Sequence, residues 1–447
     1  MIDSLNRLGK NFGNLLDYRD LGSVVRNACW LSIDRVFRML VGLVVGFWIA
    51  RYLGPSQFGL WNYAIAFSSF FAIFASMGLD STVVKDLIQH PDLKDKLLGS
   101  VFALKILGGT SAFLISIFLI LLIHNGDILL GWLVGLTSTT YIFQASNVID
   151  FYFQSKLVSK YTVLANNIAF FIATILKLIL LVCKASLIAF ACVSLSEFIL
   201  TSFFVIYIYK SKFSSLRNWC FDPKIAVSLL KSCWPLILSG LSIMIYMRID
   251  QIMIGRMLGD ADLGKFSAAV RLSEVWYFLP FAFVTSFASR LFELKSKNQM
   301  LYRNSIQNLM SFMVLISFFV ALLISHFSEW LVLKTYGDAY SGTAAVLRVH
   351  VWGGVFVFLG VISEHWLVAE NLQRLAFYRT FFGALLNVVA NLILIPKMGI
   401  VGAAYATLVT QILVTYLYDL TNCRLREIFA IKTKALLLIE PVRKIFI

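Results

Sequence analysis

The chain of 447 residues is 59% apolar and only 14% charged, with 39 Lys and Arg against 24 Asp and Glu for a formal net charge of +15. Soluble domains run at about 45–50% apolar and about 25% charged, so this balance excludes a soluble globular protein and puts most of the chain in lipid. The positive excess sits in short connections between apolar runs, which makes it a signal of topology rather than a nucleic-acid footprint.

Residues 1–23 form a polar N-terminal arm with Asp17, Arg19 and Asp20 and lack the apolar core of a cleaved signal peptide. The first span is expected to serve as its own uncleaved signal. Runs of about 20 apolar residues, enough to cross the hydrocarbon core as helices, fall at 27–50, 58–79, 98–123, 128–152, 160–183 and 185–209. A second set falls near 233–256, 264–288, 304–327, 346–370, 376–395 and 399–421. The predicted fold is therefore all-α and integral to the membrane, with about twelve transmembrane helices in two six-helix bundles. The bundles are expected at 24–210 and 232–425, with a cytoplasmic linker at 211–231 between them and a basic cytoplasmic tail at 426–447.

One motif occurs twice. Ile49-Ala-Arg-Tyr-Leu-Gly-Pro-Ser-Gln-Phe-Gly59 closes the first span and opens the second, and Ile254-Gly-Arg-Met-Leu-Gly-Asp-Ala-Asp-Leu-Gly264 does the same for the seventh and eighth. An even number of spans separates the copies, so both face the same side of the bilayer and the halves are parallel repeats. Such repeats place a binding cavity on the pseudo-two-fold axis.

Orientation follows from the loops. The arm, the even-numbered gaps and the tail hold most of the cations, among them Lys10, Lys94, Lys96, Lys156, Lys160, Lys210, Lys212, Lys231, Lys295, Arg303, Lys432 and Lys434. The odd-numbered gaps carry isolated ones such as Lys184, Lys334 and Lys397. Both termini are therefore expected in the cytoplasm. Cys29, Cys183, Cys192, Cys220, Cys233 and Cys423 are scattered without Cys-x-x-Cys or Cys-His spacing, which signals neither a metal site nor a disulfide framework.

The gaps between spans are too short to hold a catalytic domain, and no Walker lysine loop, His-Glu-x-x-His or Gly-x-Ser-x-Gly occurs. The expectation is a transporter and not an enzyme, with no cofactor. Its working residues should be the charges inside spans, because each costs about 2.5–3.5 kcal/mol at mid-bilayer unless it faces a cavity or a partner. The first span holds Asp34, Arg35 and Arg38: Asp34 and Arg38 share a face, while Arg35 points about 100° away from Asp34. Lys105 lies in the third span. Arg248 and Asp250 in the seventh point about 200° apart, and Arg271 and Glu274 in the eighth share a face. Glu197 in the sixth span, and Glu364 with His365 in the tenth, read either as structural hydrogen-bonded groups or as proton carriers. Pro280 should kink the eighth span, and Gly42 and Gly46 read as a close helix-packing pair. Trp30, Trp61, Tyr63, Tyr246, Trp276 and Tyr277 fit core packing, an interfacial belt or stacking on a sugar ring.

The ordered set Ala50-Arg-Tyr-Leu-Gly-Pro-Ser-Gln-Phe-Gly59, Ser76-Met-Gly-Leu-Asp-Ser-Thr-Val-Val-Lys85, Arg248-Ile-Asp-Gln-Ile-Met-Ile-Gly255, Gly264-Lys-Phe-Ser-Ala-Ala-Val-Arg-Leu-Ser-Glu274 and Gly399-Ile-Val-Gly-Ala-Ala404 resembles the polysaccharide transporters that include bacterial O-antigen flippases. The resemblance runs from about residue 20 to about residue 425 and places the chain in the multidrug/oligosaccharidyl-lipid/polysaccharide exporter superfamily. It implies two bundles around a central cavity that alternates between the two faces of the bacterial inner membrane. The implied cargo is a polyprenyl-pyrophosphate-linked oligosaccharide used in lipopolysaccharide biosynthesis. A polysaccharide polymerase and a chain-length regulator are the implied partners, with no nucleic acid. On that implication Arg35, Arg38, Lys105, Arg248 and Arg271 are candidate donors to the pyrophosphate, and Asp34, Glu197, Asp250, Glu274 and Glu364 candidate ion-coupling or charge-pairing groups. The family also includes fourteen-span members, so a count of about twelve favours an O-antigen or similar repeat-unit carrier. A multidrug or cation antiporter of the same superfamily is the alternative, followed by a membrane polysaccharide polymerase or ligase.

Overall fold

The computed structural model describes residues 18–124 and 127–437, with side chains from residue 36 onward except at 81, 235 and several positions between 285 and 296. The described residues are almost entirely helical and contain no strand. Nine stretches among them are long and apolar enough to cross a membrane. Two, Val36–Ser69 and Gln373–Thr421, are each interrupted by a left-handed glycine, Gly54 (φ 71°) and Gly399 (φ 61°), and hold two spans apiece. In the second of these Gly402 packs on Leu394 and Gly383 on Val414, so its arms run antiparallel. The remaining crossing is the eighth span, Asp260–Glu274 continued by Phe278–Lys297, whose charges lower its hydropathy. Pro280 has no N–H to give the carbonyl of residue 276, and the α-helix there is replaced by a 3-10 turn at Val275–Tyr277.

Backbone contacts divide the chain into two compact units. The first takes residues through Val45, Phe74–Ile115 and Gly135–Trp234; the second takes Gly46–Ile73, Ser116–Val134 and Pro235 onward. In the first unit Leu79, Val83, Leu98, Val101, Phe153 and Tyr209 form a dry core. The stretch expected as a linker is strapped onto it. The Asp222 amide donates to Ser100 Oγ at 2.9 Å, the Cys220 amide donates to the Asp95 carbonyl at 3.2 Å, and Lys96 pairs with Asp222 at 3.7 Å. Gly99 makes this possible, since a Cβ there would come within 2.5 Å of the Cys220 carbonyl oxygen.

In the second unit Tyr302, Met310, Phe358 and Trp366 pack with Leu425, Ile428, Ile431 and Ala435. The last three belong to an amphipathic helix, Arg426–Leu436, at the start of the stretch expected as a tail. Its Lys432 is fully buried and donates to Asp419 Oδ2 and to the Thr415 carbonyl, both at 2.6 Å.

The repeat motif has a structural meaning in both copies. Gly54 and Gly259 take left-handed backbone, with φ of 71° and 97°, which lets one helix end and the next begin at Pro55 and at Asp260. Five residues on, Gly59 rests on the Asp260 carbonyl and Gly264 on the Pro55 carbonyl. These are equivalent positions of the two copies, so the contact is reciprocal within the second unit. No side chain fits between backbones that close, which accounts for the second glycine of each copy.

Candidate functional site

Inside the first unit the fourth span changes from α-helix to a 3-10 turn at Gln144–Asn147. Ser202, from the sixth span, holds the turn by donating to the Phe143 carbonyl at 2.9 Å, and Ser146 donates to Ser202 at 3.0 Å. The turn presents Gln144 and Asn147 to a cavity of about 630 Å3 that is also lined by Asp80, Lys105, Asp150 and Gln154. Lys105 is 4% exposed. Its ammonium lies 3.3 Å from Asp80 Oδ1 and 4.9 Å from the centre of the Phe151 ring. Asp150 accepts from Thr162 Oγ1 at 2.5 Å and from Gln154 Nε2 at 2.8 Å. A buried cation is tolerated in such a place only with a partner, and here a carboxylate and a ring face share that task.

The second unit holds a separate set of charges. Asp250 is 5% exposed and its Oδ1 accepts from the Gln251 amide at 2.7 Å, while the buried Thr407 hydroxyl has no hydrogen-bond partner among the described residues. The Arg248 charge acts on both Asp250 and Glu274. In the eleventh span Asn391 donates to the Asn387 side chain and backbone carbonyl, both at 2.9 Å. Arg379, 4% exposed, reaches Glu364 at 3.8 Å while one of its terminal nitrogens has no partner.

At the reciprocal glycine contact Tyr63 shares a hydrogen bond of 3.0 Å with His124 Nε2, ring edge to face. Burial pushes the His124 imidazole below its ordinary pKa and Arg256 adds to that, against the opposing pull of Asp127 and Asp260.

The residues singled out in the sequence are distributed as follows. Asp34 and Arg35 lie outside the residues whose side chains are described, and Arg38 is half-buried. Lys105 enters the first-unit cavity with Asp80 as its partner. The Arg248 charge acts on both Asp250 and Glu274, whereas Arg271 lays its guanidinium on Gly46. Glu197 is paired with Lys177 at 3.0 Å, and Glu364 is exposed beside Arg379. Sequence reasoning missed Asp80, Gln144, Asn147 and Arg379. A signal for two of them exists: Asp80 and Lys105 lie at near-equal distances from the bend at Pro91, as do Glu364 and Arg379 from the bend at Asn371, so hairpin register alone brings each pair together.

A family model described as polysaccharide biosynthesis protein matches residues 24–286, and a second, MatE, matches residues 235–393. An uncharacterized membrane protein of Methanocaldococcus jannaschii is 22% identical over 407 residues, 87% of this chain and 95% of its own. A probable low-salt glycan biosynthesis flippase of Haloferax volcanii, Agl15, is 28% identical over 167 residues, 36% of this chain and 34% of its own. Among solved structures, an inward-facing multidrug resistance MATE family transporter of the MOP superfamily superposes with a TM-score of 0.75 at 16% identity, over 89% of this chain and 96% of that one. The lipid II flippase MurJ in its inward closed conformation gives 0.67 at 19% identity, over 91% and 90%. At these identities the likeness is one of fold. With its family model matched over more than half the chain, on the fold of the MOP superfamily transporters, this chain belongs to the polysaccharide biosynthesis protein family.

Proposed function

We propose that the chain is a flippase, which moves a polyprenyl-pyrophosphate-linked oligosaccharide, an O-antigen repeat or similar unit, from the cytoplasmic to the outer leaflet by alternating access. The observation that carries this reading is a cavity in the first unit of about 630 Å3, which sets Asp80, Lys105, Gln144 and Asn147 together in a chain that is 59% apolar. A hydrophilic head group needs such a place, and its volume falls within the about 300–1,000 Å3 of small-molecule sites. Arg35, Arg38, Arg248 and Arg271 are the proposed donors to the pyrophosphate. The distribution of Lys and Arg supports cytoplasmic termini. Asp250, with Thr407 beside it, is the proposed coupling group, because an acid in a dry site exchanges a proton or small cation against a change of conformation.

The test is complementation in a strain that lacks its own flippase for the cognate polysaccharide, at matched membrane levels. Wild type should restore surface polysaccharide, while Arg38→Ala or Arg248→Ala should lower it by about tenfold or more, as loss of a charge-assisted contact of about 1.5–3 kcal/mol requires. Full restoration by both variants would remove those arginines from the site. A second reading, a multidrug or cation antiporter, is favoured by the MatE match over residues 235–393 and by the acids Asp250 and Glu274. Restored drug resistance without restored polysaccharide would select it.

A further inference from the structure

We propose that the first-unit cavity is a subsite for an uncharged sugar ring, a hexose or N-acetylhexosamine, and that it rejects both the pyrophosphate and a uronic acid; this rests on the flippase reading above. The charge sum of the lining is the first argument. Asp80 and Asp150 stand against Lys105 alone, and Lys105 is held by Asp80 at 3.3 Å and by the Phe151 ring. A pyrophosphate would have to displace Asp80 from Lys105 and then lie beside Asp150, so the cavity carries its own repulsion against anions. The second argument is the mixture of donors and acceptors. Asp80 is open to the cavity, with a side chain 65% exposed and one oxygen beyond its contact with Lys105. The amides of Gln144 and Asn147 have no hydrogen-bond partner among the described residues. Carboxylate, ammonium and two free amides both accept and donate, as adjacent sugar hydroxyls do, and an amide also matches an acetamido group. The third argument is rigidity. The 3-10 turn bearing both amides is fixed by Ser146 and Ser202, and Asp150 by Thr162 and Gln154, so little ordering is left for binding to cost.

The experiment measures affinity of the full-length chain in lipid nanodiscs for three probes: bare polyprenyl pyrophosphate, the same carrier with N-acetylglucosamine, and the same carrier with glucuronic acid. The N-acetylglucosamine carrier should bind about tenfold tighter than the bare one, and the glucuronic acid carrier no tighter than bare. Asn147→Ala and Gln144→Ala should each erase most of the sugar-dependent gain. Asp80→Asn, which frees Lys105 for an acidic sugar, should give the glucuronic acid carrier a gain it lacks on wild type. Equal binding of all three probes, or tightest binding of the glucuronic acid carrier on wild type, would overturn the sugar subsite and leave the flippase reading intact. Amide variants that weaken all three probes equally would assign the cavity to the pyrophosphate and overturn it likewise. Binding of none of the three would overturn both.

Discussion

Lys105 and Lys432 are buried cations that each face one carboxylate, Asp80 and Asp419, which makes each ion pair fragile in one direction. Lys432 and Asp419 are the most buried case, with side chains 0% and 1% exposed and a contact of 2.6 Å. Removing one member of such a pair strands the other in an apolar surrounding, at about 3–5 kcal/mol, whereas replacing both with apolar residues of similar size is close to neutral. Lys432→Ala should therefore lower the thermal midpoint of the purified protein clearly, and Lys432→Met combined with Asp419→Leu should recover most of the loss. A single variant as stable as wild type would show that the pair contributes nothing. The same lysine gives a pH dependence. Burial outweighs the pull of Asp419 and lowers the Lys432 pKa from 10.5 to about 8. Between those values the unfolded chain binds more protons than the folded one, so stability rises with pH across that window and is lost again as pH falls through about 8. The midpoint of wild type relative to Lys432→Met, which cannot titrate there, should rise on going from pH 7 to pH 10. A constant difference would contradict it.

At the scale of elements, the strap at 220–222 depends on the absence of a side chain at Gly99 and on one hydroxyl, Ser100. Gly99→Ala sets a Cβ against the Cys220 backbone, which cannot swing away as a flexible side chain would, and overpacking of that kind costs about 1–3 kcal/mol. The strap should come loose locally while the spans stay folded, and limited trypsin digestion at Arg217 and Lys224 should speed up about tenfold, with Ser100→Ala giving a smaller increase. Unchanged cleavage in both variants would mean that the strap is held elsewhere. The elements themselves are largely legible in the sequence, because length and hydropathy are local properties: the apolar runs, the interruption at Pro280 and the turns at Gly54 and Gly259 all follow from them. The amphipathic helix Arg426–Leu436 is harder to see, since its cations read as a solvated tail until Ile428, Ile431 and Ala435 are taken as one face. Glu197 reads as isolated for a related reason. Its partner Lys177 is on the neighbouring span, and only the hairpin register about the bend at Lys184 brings the two within 3.0 Å. The cavity amides are the least legible, because a 3-10 turn inside an apolar run leaves no mark in hydropathy.

For the molecule as a whole, the two copies of the repeat are the parts that bear most directly on the proposed transport cycle. Within the second unit the first turns of the helices beginning at Pro55 and Asp260 meet through Gly59 and Gly264, with Tyr63 and His124 alongside. A flippase working by alternating access has to part this contact once per cycle, on the side proposed to be outer, and remake it. Backbone-to-backbone contact suits that use: it is short-ranged, carries no long side chains to disentangle, and is made or absent rather than graded. Gly59→Ala places a Cβ on the Asp260 carbonyl and should keep the two turns apart. A cost of about 1–3 kcal/mol to the closed form corresponds to a shift in population of about 5–150-fold. In a cysteine-free background, Ser56→Cys with Asp260→Cys should cross-link readily and block transport until reduced, and adding Gly59→Ala should cut the cross-link yield about tenfold or more. Gly264→Ala, acting on the Pro55 carbonyl at the equivalent position, should do the same. Transport by the cross-linked protein would show that this contact does not open during the cycle. Undiminished cross-linking in both alanine variants would show that the glycines do not set the approach of the two helices.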